Sequence, residues 1–210
     1  MTILFTGILL VVNFGISWWN AVSVGRIWSE AKQIGGGTRV LTIAGYVMAI
    51  AGFTMVYSFL IMIVLSYVGP NFGWLSPDQS RLLLQLVSDI SYLFIILAII
   101  PSGIIIWIHS LISFWKHKSL KSGGIAAWNT YANARNVISA ARNVPSAFGR
   151  IISSVKNSKT KGNGAVVLLA IVIVLLAILG GYFTASAIMK RADKKYDLFL
   201  QVAAEAKLAT

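Results

Sequence analysis

Residues 115–164 read WKHKSLKSGGIAAWNTYANARNVISAARNVPSAFGRIISSVKNSKTKGNG, and the character of this stretch decides the fold. It is basic and contains no Asp or Glu. Its apolar residues, including Trp128, Tyr131, Ala134, Val137, Ile138, Ala141, Val144, Phe148, Ile151, Ile152 and Val155, recur at spacings of three and four. Asn129, Asn133, Asn136, Asn143 and Ser153 fall mostly off that stripe, so the pattern is an amphipathic helix. Arg135 and Arg142 lie seven apart on its flank, where a long side chain keeps its stem apolar and its head in water. Pro145 predicts a bend or break just before it.

The expectation is a helix lying flat on an anionic membrane face, gaining about 1 kcal/mol per basic residue near the surface. Lys116, Lys118, Lys121, Trp128, Arg135, Arg142, Phe148 and Arg150 are then its contacts with anionic lipid or partner protein. The same pattern would also serve a helix packed on the chain's own spans or on another subunit. Nucleic acid is not an expected partner, because the aromatics sit on the apolar stripe and not on a basic platform. Lys156 to Gly164 reads as a flexible return.

Outside this stretch the chain is too apolar for water. Hydrophobic residues make up 57% of 210 positions and charged residues 11%, against roughly a quarter in soluble domains. The bilayer must be the solvent for much of the surface. A net charge of +12 points to nucleic acid or an anionic membrane, and basic residues clustered beside apolar runs favour the membrane. The chain has no cysteine, which excludes disulfides and thiolate chemistry.

Four apolar runs give an all-α integral membrane protein. The organisation is a three-span region at 1–114, the basic segment at 115–163, and a fourth span with a helical tail at 164–210. Thr2 to Val24 is a first span, with Asn13 inside it placed to hydrogen-bond a neighbouring helix. A short connector with Gly35, Gly36 and Gly37 lacks the features of a phosphate loop and reads as a turn. Val40 to Val68 is the second span; Gly45, Ala49 and Gly52 put small residues on one face for close helix packing, and Tyr67 suits the far headgroup layer. Ser76-Pro77-Asp78-Gln79 is a helix start, with Ser76 as N-cap, Pro77 at N1 and Gln79 at N3. The third span, about Arg81 to Trp115, would be roughly 50 Å long, and Pro101 predicts a kink within it. Ala165 to Met189 is the fourth span, with a small-residue seam at Ala177, Gly181 and Ala185. The tail from Asp193, with Tyr196, Phe199, Val202, Ala203 and Ala206 on one side, continues that helix.

With the basic segment lying flat, Lys and Arg divide twelve against six between the two sides. The positive-inside bias then places 115–163 in the cytoplasm and both termini opposite, although Lys190, Arg191, Lys194 and Lys195 in the tail oppose that assignment. Asp89 is the acid inside an apolar run, with Tyr92 in reach and Arg81 two turns away. His109 has no convergent donors for a metal, and no catalytic motif is present, so neither an enzyme nor a cofactor or metal is expected. The expected function is a non-catalytic polytopic subunit with a structural or assembly role, bound to lipid and to other membrane proteins. The alternative is a small homo-oligomeric channel or transporter with Asn13, Asp89 and His109 in a polar path.

Overall fold

The computed structural model describes residues 2–34, 36–72, 75–161 and 163–208, and most side chains within them. These residues form five long helices: α1 (Thr2–Ile34), α2 (Gly36–Phe72), α3 (Pro77–His117), α4 (Leu120–Lys161) and α5 (Gly164–Leu208). Four of them, α1, α2, α3 and α5, are long and apolar enough to cross a membrane, so the chain is a multi-pass membrane protein. The side chains of Tyr67, Phe199, Ala203, Ala206, Lys159 and Lys161 lie outside the described residues.

Local chemistry sets the helix ends. Ser76 Oγ accepts from the Gln79 N–H at 3.2 Å while Gln79 Oε1 accepts from the Ser76 N–H at 3.0 Å, a complete capping box with Pro77 at N1. At the other end of α3, Lys118 turns left-handed at φ 45° and its N–H donates to the Phe114 carbonyl at 2.8 Å. Ser119 and Ser122 then bond each other's backbone N–H groups and open α4. Gly36 reverses the chain between α1 and α2 with φ +55°, a region open to glycine.

Small residues and short polar side chains hold the helices together, as membrane packing requires where lipid is as apolar as leucine. Gly45 faces Val24, Gly52 faces Ser17, and Asn13 Nδ2 donates to the Gly52 carbonyl at 3.3 Å. Ala21, Ala49, Phe53, Ala185 and Ile188 form one buried cluster where α1, α2 and α5 meet. Gly181 lies on the backbone of α2 at Ile50 and Thr54, and Ala177 is buried one turn before it. Tyr46 and Tyr57 of α2 share hydrogen bonds with Ser186 and Thr184 of α5, at 2.5 and 2.7 Å. A second cluster joins Leu83, Leu86 and Val87 of α3 to Val166, Ala170, Ile173 and Val174 of α5.

These contacts fix direction. α2 is antiparallel to α1 and to α5, since Tyr46 meets Ser186 while Tyr57 meets Gly180. α5 is parallel to α1, with Gly25 against Met189 and Ala192. α4 is antiparallel to α3 along its whole length, from Gly123 beside Phe114 to Asn163, just past α4, bonded to Gln79.

Several sequence expectations change as a result. The segment after the third span does not lie across the bundle end; it travels back beside α3 and delivers the chain to the opposite end. The beginning of α1 and the end of α5 therefore sit at opposite ends of the bundle. α4 passes through Pro145 without a break and remains helical to Lys161, in place of the flexible return that its composition predicts. α3 is helical on both sides of Pro101, which a kink at that residue allows. The tail does continue the last apolar helix.

Candidate functional site

The polar seam between α3 and α4 is where the chain concentrates its unusual chemistry. Along α4, Ala126, Asn133, Ala140 and Ala147 recur every seven residues and face α3, the alanines buried. A spacing of seven returns to one side of a helix every two turns, so this line forms a continuous contact. Opposite it α3 presents Gly103 and, seven residues on, Ser110, both buried. Small side chains on both helices let the backbones approach closely, and polar groups then bond across the gap. Asn133 Nδ2 donates to the Gly103 carbonyl at 3.0 Å and to the Asn129 carbonyl at 2.9 Å. A Cβ at Gly103 would collide with the Asn133 amide oxygen. Trp107 Nε1 donates to Thr130 Oγ1 at 2.8 Å, and Tyr92 OH makes a long bond of 3.5 Å to the Ser139 carbonyl.

The strongest rung is an ion pair. Arg150 Nε donates to Asp89 Oδ2 at 2.9 Å and Nη2 to Oδ1 at 2.5 Å, the parallel two-bond geometry of guanidinium and carboxylate. Asp89 is 6% exposed, whereas the Arg150 side chain is 48% exposed, so the carboxylate is enclosed and the cation comes to it from the surface. Two residues on in α3, Ser91 Oγ donates to Ser58 Oγ at 2.9 Å and ties α3 to α2.

The residues expected to form a polar path are not brought together. Asn13 bonds Gly52 on α2, Asp89 is clasped by α4, and His109 lines a cavity near the far end of α3. Sequence proximity pairs Tyr92 with Asp89, but its hydroxyl reaches α4. Arg150, expected among the contacts with lipid or partner, spends two donors on Asp89 while its side chain stays half exposed. Among the described residues no group of three or more His, Cys, Asp or Glu converges as a metal site would require.

The amphipathic stripe of α4 turns away from the chain's own spans, against the reading that packs it on them. Trp128, Tyr131, Val137, Ile138, Phe148 and Ile152 are exposed, with Trp128 68% open, while the small and polar side packs on α3. Bulky residues would hold the two backbones apart and prevent the amide and carbonyl bonds of the seam. Arg135 and Arg142 share the outward face with Tyr131 and Ile138, along a shallow groove. The exposed surfaces of the apolar helices differ in kind: α1 shows Val11, Phe14 and Ile16, and α5 shows Leu168, Leu175 and Leu176. Sequence reasoning misses the seven-residue line at 126, 133, 140 and 147, although it is visible as a recurrence of Ala and Asn. The Arg150–Asp89 pairing carries no sequence signal, because sixty-one positions separate the partners. No family model matches the chain, and no curated protein and no solved structure is significantly similar to it.

Proposed function

We propose that the chain is a non-catalytic polytopic subunit of a membrane complex, and that the outward face of α4 is where a partner protein docks. The observation that carries this reading is the mixed character of that face. Trp128, Ile138 and Phe148 suit lipid or protein, but Arg135, Arg142 and Asn143 share their helix surface beside a membrane-length span. Arginine at bilayer depth costs several kcal/mol on an exposed helix, so a partner able to pair with it is favoured over acyl chains. Anionic lipid meets Lys121 and Lys156 where the ends of α4 reach the headgroup layers.

The distribution of charge supports an orientation. Arg26, Arg39, Lys116, Lys118, Lys121, Lys190, Arg191, Lys194 and Lys195 gather at one end of the bundle, against Arg81, Lys156, Lys159 and Lys161 at the other. The tail cluster that opposes the charge rule in a flat-helix threading joins the majority once α5 runs parallel to α1. The basic end is accordingly cytoplasmic in this proposal.

Photo-crosslinker placed at Ile138, with Leu176 of α5 as control, tests the docking face in native membranes. A discrete protein adduct from position 138, absent from position 176 and lost in Arg135→Glu/Arg142→Glu, is the expected result. Adducts with lipid alone from both positions overturn the reading. A conducting homo-oligomer is favoured by one observation, the alignment of Arg135, Arg142 and Asn143 along the α4 groove. Asp89 then belongs to the helix clasp and not to the conduit. Absence of ion flux in liposomes containing the purified protein removes that second reading.

A further inference from the structure

At the basic end, where α3 hands over to α4, the two helices and the start of α2 border an open cavity of about 390 Å³. His109, Ser113 and His117 face it from α3, spaced four apart and therefore on one side of that helix. Lys121 faces it from the first turn of α4. Other hydroxyls around it are already engaged: Ser110 Oγ donates to the Trp107 carbonyl at 2.7 Å, and Ser119 and Ser122 bond each other at 2.9 Å. The side chains of His109, His117 and Lys121 have no hydrogen-bond or ion-pair partner among the described residues, and no carboxylate lines the cavity.

We propose that this cavity binds a phosphate group. An ammonium, two imidazoles and a hydroxyl supply donors without a competing acid, which is the chemistry an oxyanion selects. A metal is a poor fit, since two imidazoles lack the third and fourth ligands that zinc demands. Leu41, Ile106 and Ile125 complete the wall and give the cavity an apolar side, as a glycerol and acyl chain would need. Its level suits a headgroup as well. It lies where the apolar run of α2 begins and that of α3 ends, beside Trp115 and Leu120, which are 74% and 96% exposed. A phospholipid headgroup and a free phosphate present the same oxygens to this site. The proposal concerns a different surface from the outward face of α4 and does not depend on it.

Two binding arms on the purified protein separate the sources. Inorganic phosphate is titrated calorimetrically in neutral detergent, and phosphatidic acid is titrated into phosphatidylcholine nanodiscs with bound lipid counted by native mass spectrometry. Saturable binding in the first arm alone identifies a free anion, in the second alone a lipid headgroup, and in both a headgroup recognised through its phosphate. The variant His109→Ala/His117→Ala/Lys121→Ala is expected to weaken binding by about tenfold or more, given the strength of charge-assisted bonds. Lys121→Glu, a single change at an exposed position, is expected to weaken it in the same direction if the triple variant aggregates. Lys190→Ala/Lys194→Ala removes charge from the same end outside the cavity and is expected to stay within about twofold. No saturable binding in either arm overturns the proposal, as does unchanged binding by Lys121→Glu or an equal loss in the Lys190/Lys194 control.

Discussion

Asp89 shows how a single residue can be recognised as special without its role being readable. A carboxylate in an apolar run must be neutralised, paired or hydrated, and that much follows from desolvation. Arg150 is its partner because α4 turns back along α3, a fact of topology that no local pattern contains. Arg150→Ala leaves the enclosed carboxylate without its counter-charge, whereas Asp89→Asn/Arg150→Gln removes both charges together. The single variant is expected to melt lower than the double in a detergent thermal-shift series, since an orphaned charge is worse than none. Melting in the opposite order would mean that Arg150 contributes through packing alone. Gly181 is a contrasting case, legible from the spacing of small residues alone. A Cβ there would meet Thr54 Oγ1 at 2.6 Å and the Ile50 carbonyl at 2.9 Å. Gly181→Val is expected to cost about 1–3 kcal/mol by overpacking, measured by chemical denaturation in mixed micelles. Ser76→Ala, which removes the capping hydroxyl of α3, is expected to cost about 1 kcal/mol in the same assay.

At the scale of the element, α4 is the instructive helix. Its amphipathic period is plain in the sequence, and so is its helicity, but period alone does not say which face is buried. In water the bulky stripe turns inward because apolar area leaves the solvent. Beside a membrane span that driving force is absent, and close approach of small residues with satisfied amides decides instead. The rule that locates the seams at Gly45, Ala49, Gly52 and Ala177, Gly181, Ala185 also applies to Ala126, Asn133, Ala140 and Ala147. The segment's positive charge masks it there, because a basic amphipathic stretch has the signature of a membrane surface. The two faces respond differently to substitution. Ala140→Leu forces a branched side chain into the α3 contact and is expected to destabilise by about 1–3 kcal/mol. Ile138→Ala, two residues away and exposed, is expected to stay within about 0.5 kcal/mol. Thermal melts of both in one detergent test the orientation of α4 directly, and a larger loss for Ile138→Ala would reverse it.

At the scale of the molecule, the path of α4 determines the threading of everything after it. A flat α4 would leave residues 115–163 on one side and send α5 back across to place the tail opposite. An α4 that descends beside α3 brings Lys156 toward the end of the bundle that holds Asp78, and α5 then climbs parallel to α1 to place Lys194 at the same end as Arg26 and Lys118. The four apolar runs are common to both arrangements, which is why the spans are legible in the sequence and the sidedness is not. Charge counting has no means of choosing, because the tail's cations change sides with the path of one helix. The natural chain has no cysteine, so single engineered thiols report without background. Asp78→Cys, Lys121→Cys, Lys156→Cys and Lys194→Cys, each in sealed oriented vesicles, are treated with a membrane-impermeant maleimide. Positions 121 and 194 are expected to react from one side, and 78 and 156 from the other. Position 156 is the discriminating site, since only a chain that travels the length of α3 separates it from 121. Reaction of 121 and 156 from the same side, with 194 opposite, would restore the flat helix and dissolve the seam on which the docking face depends.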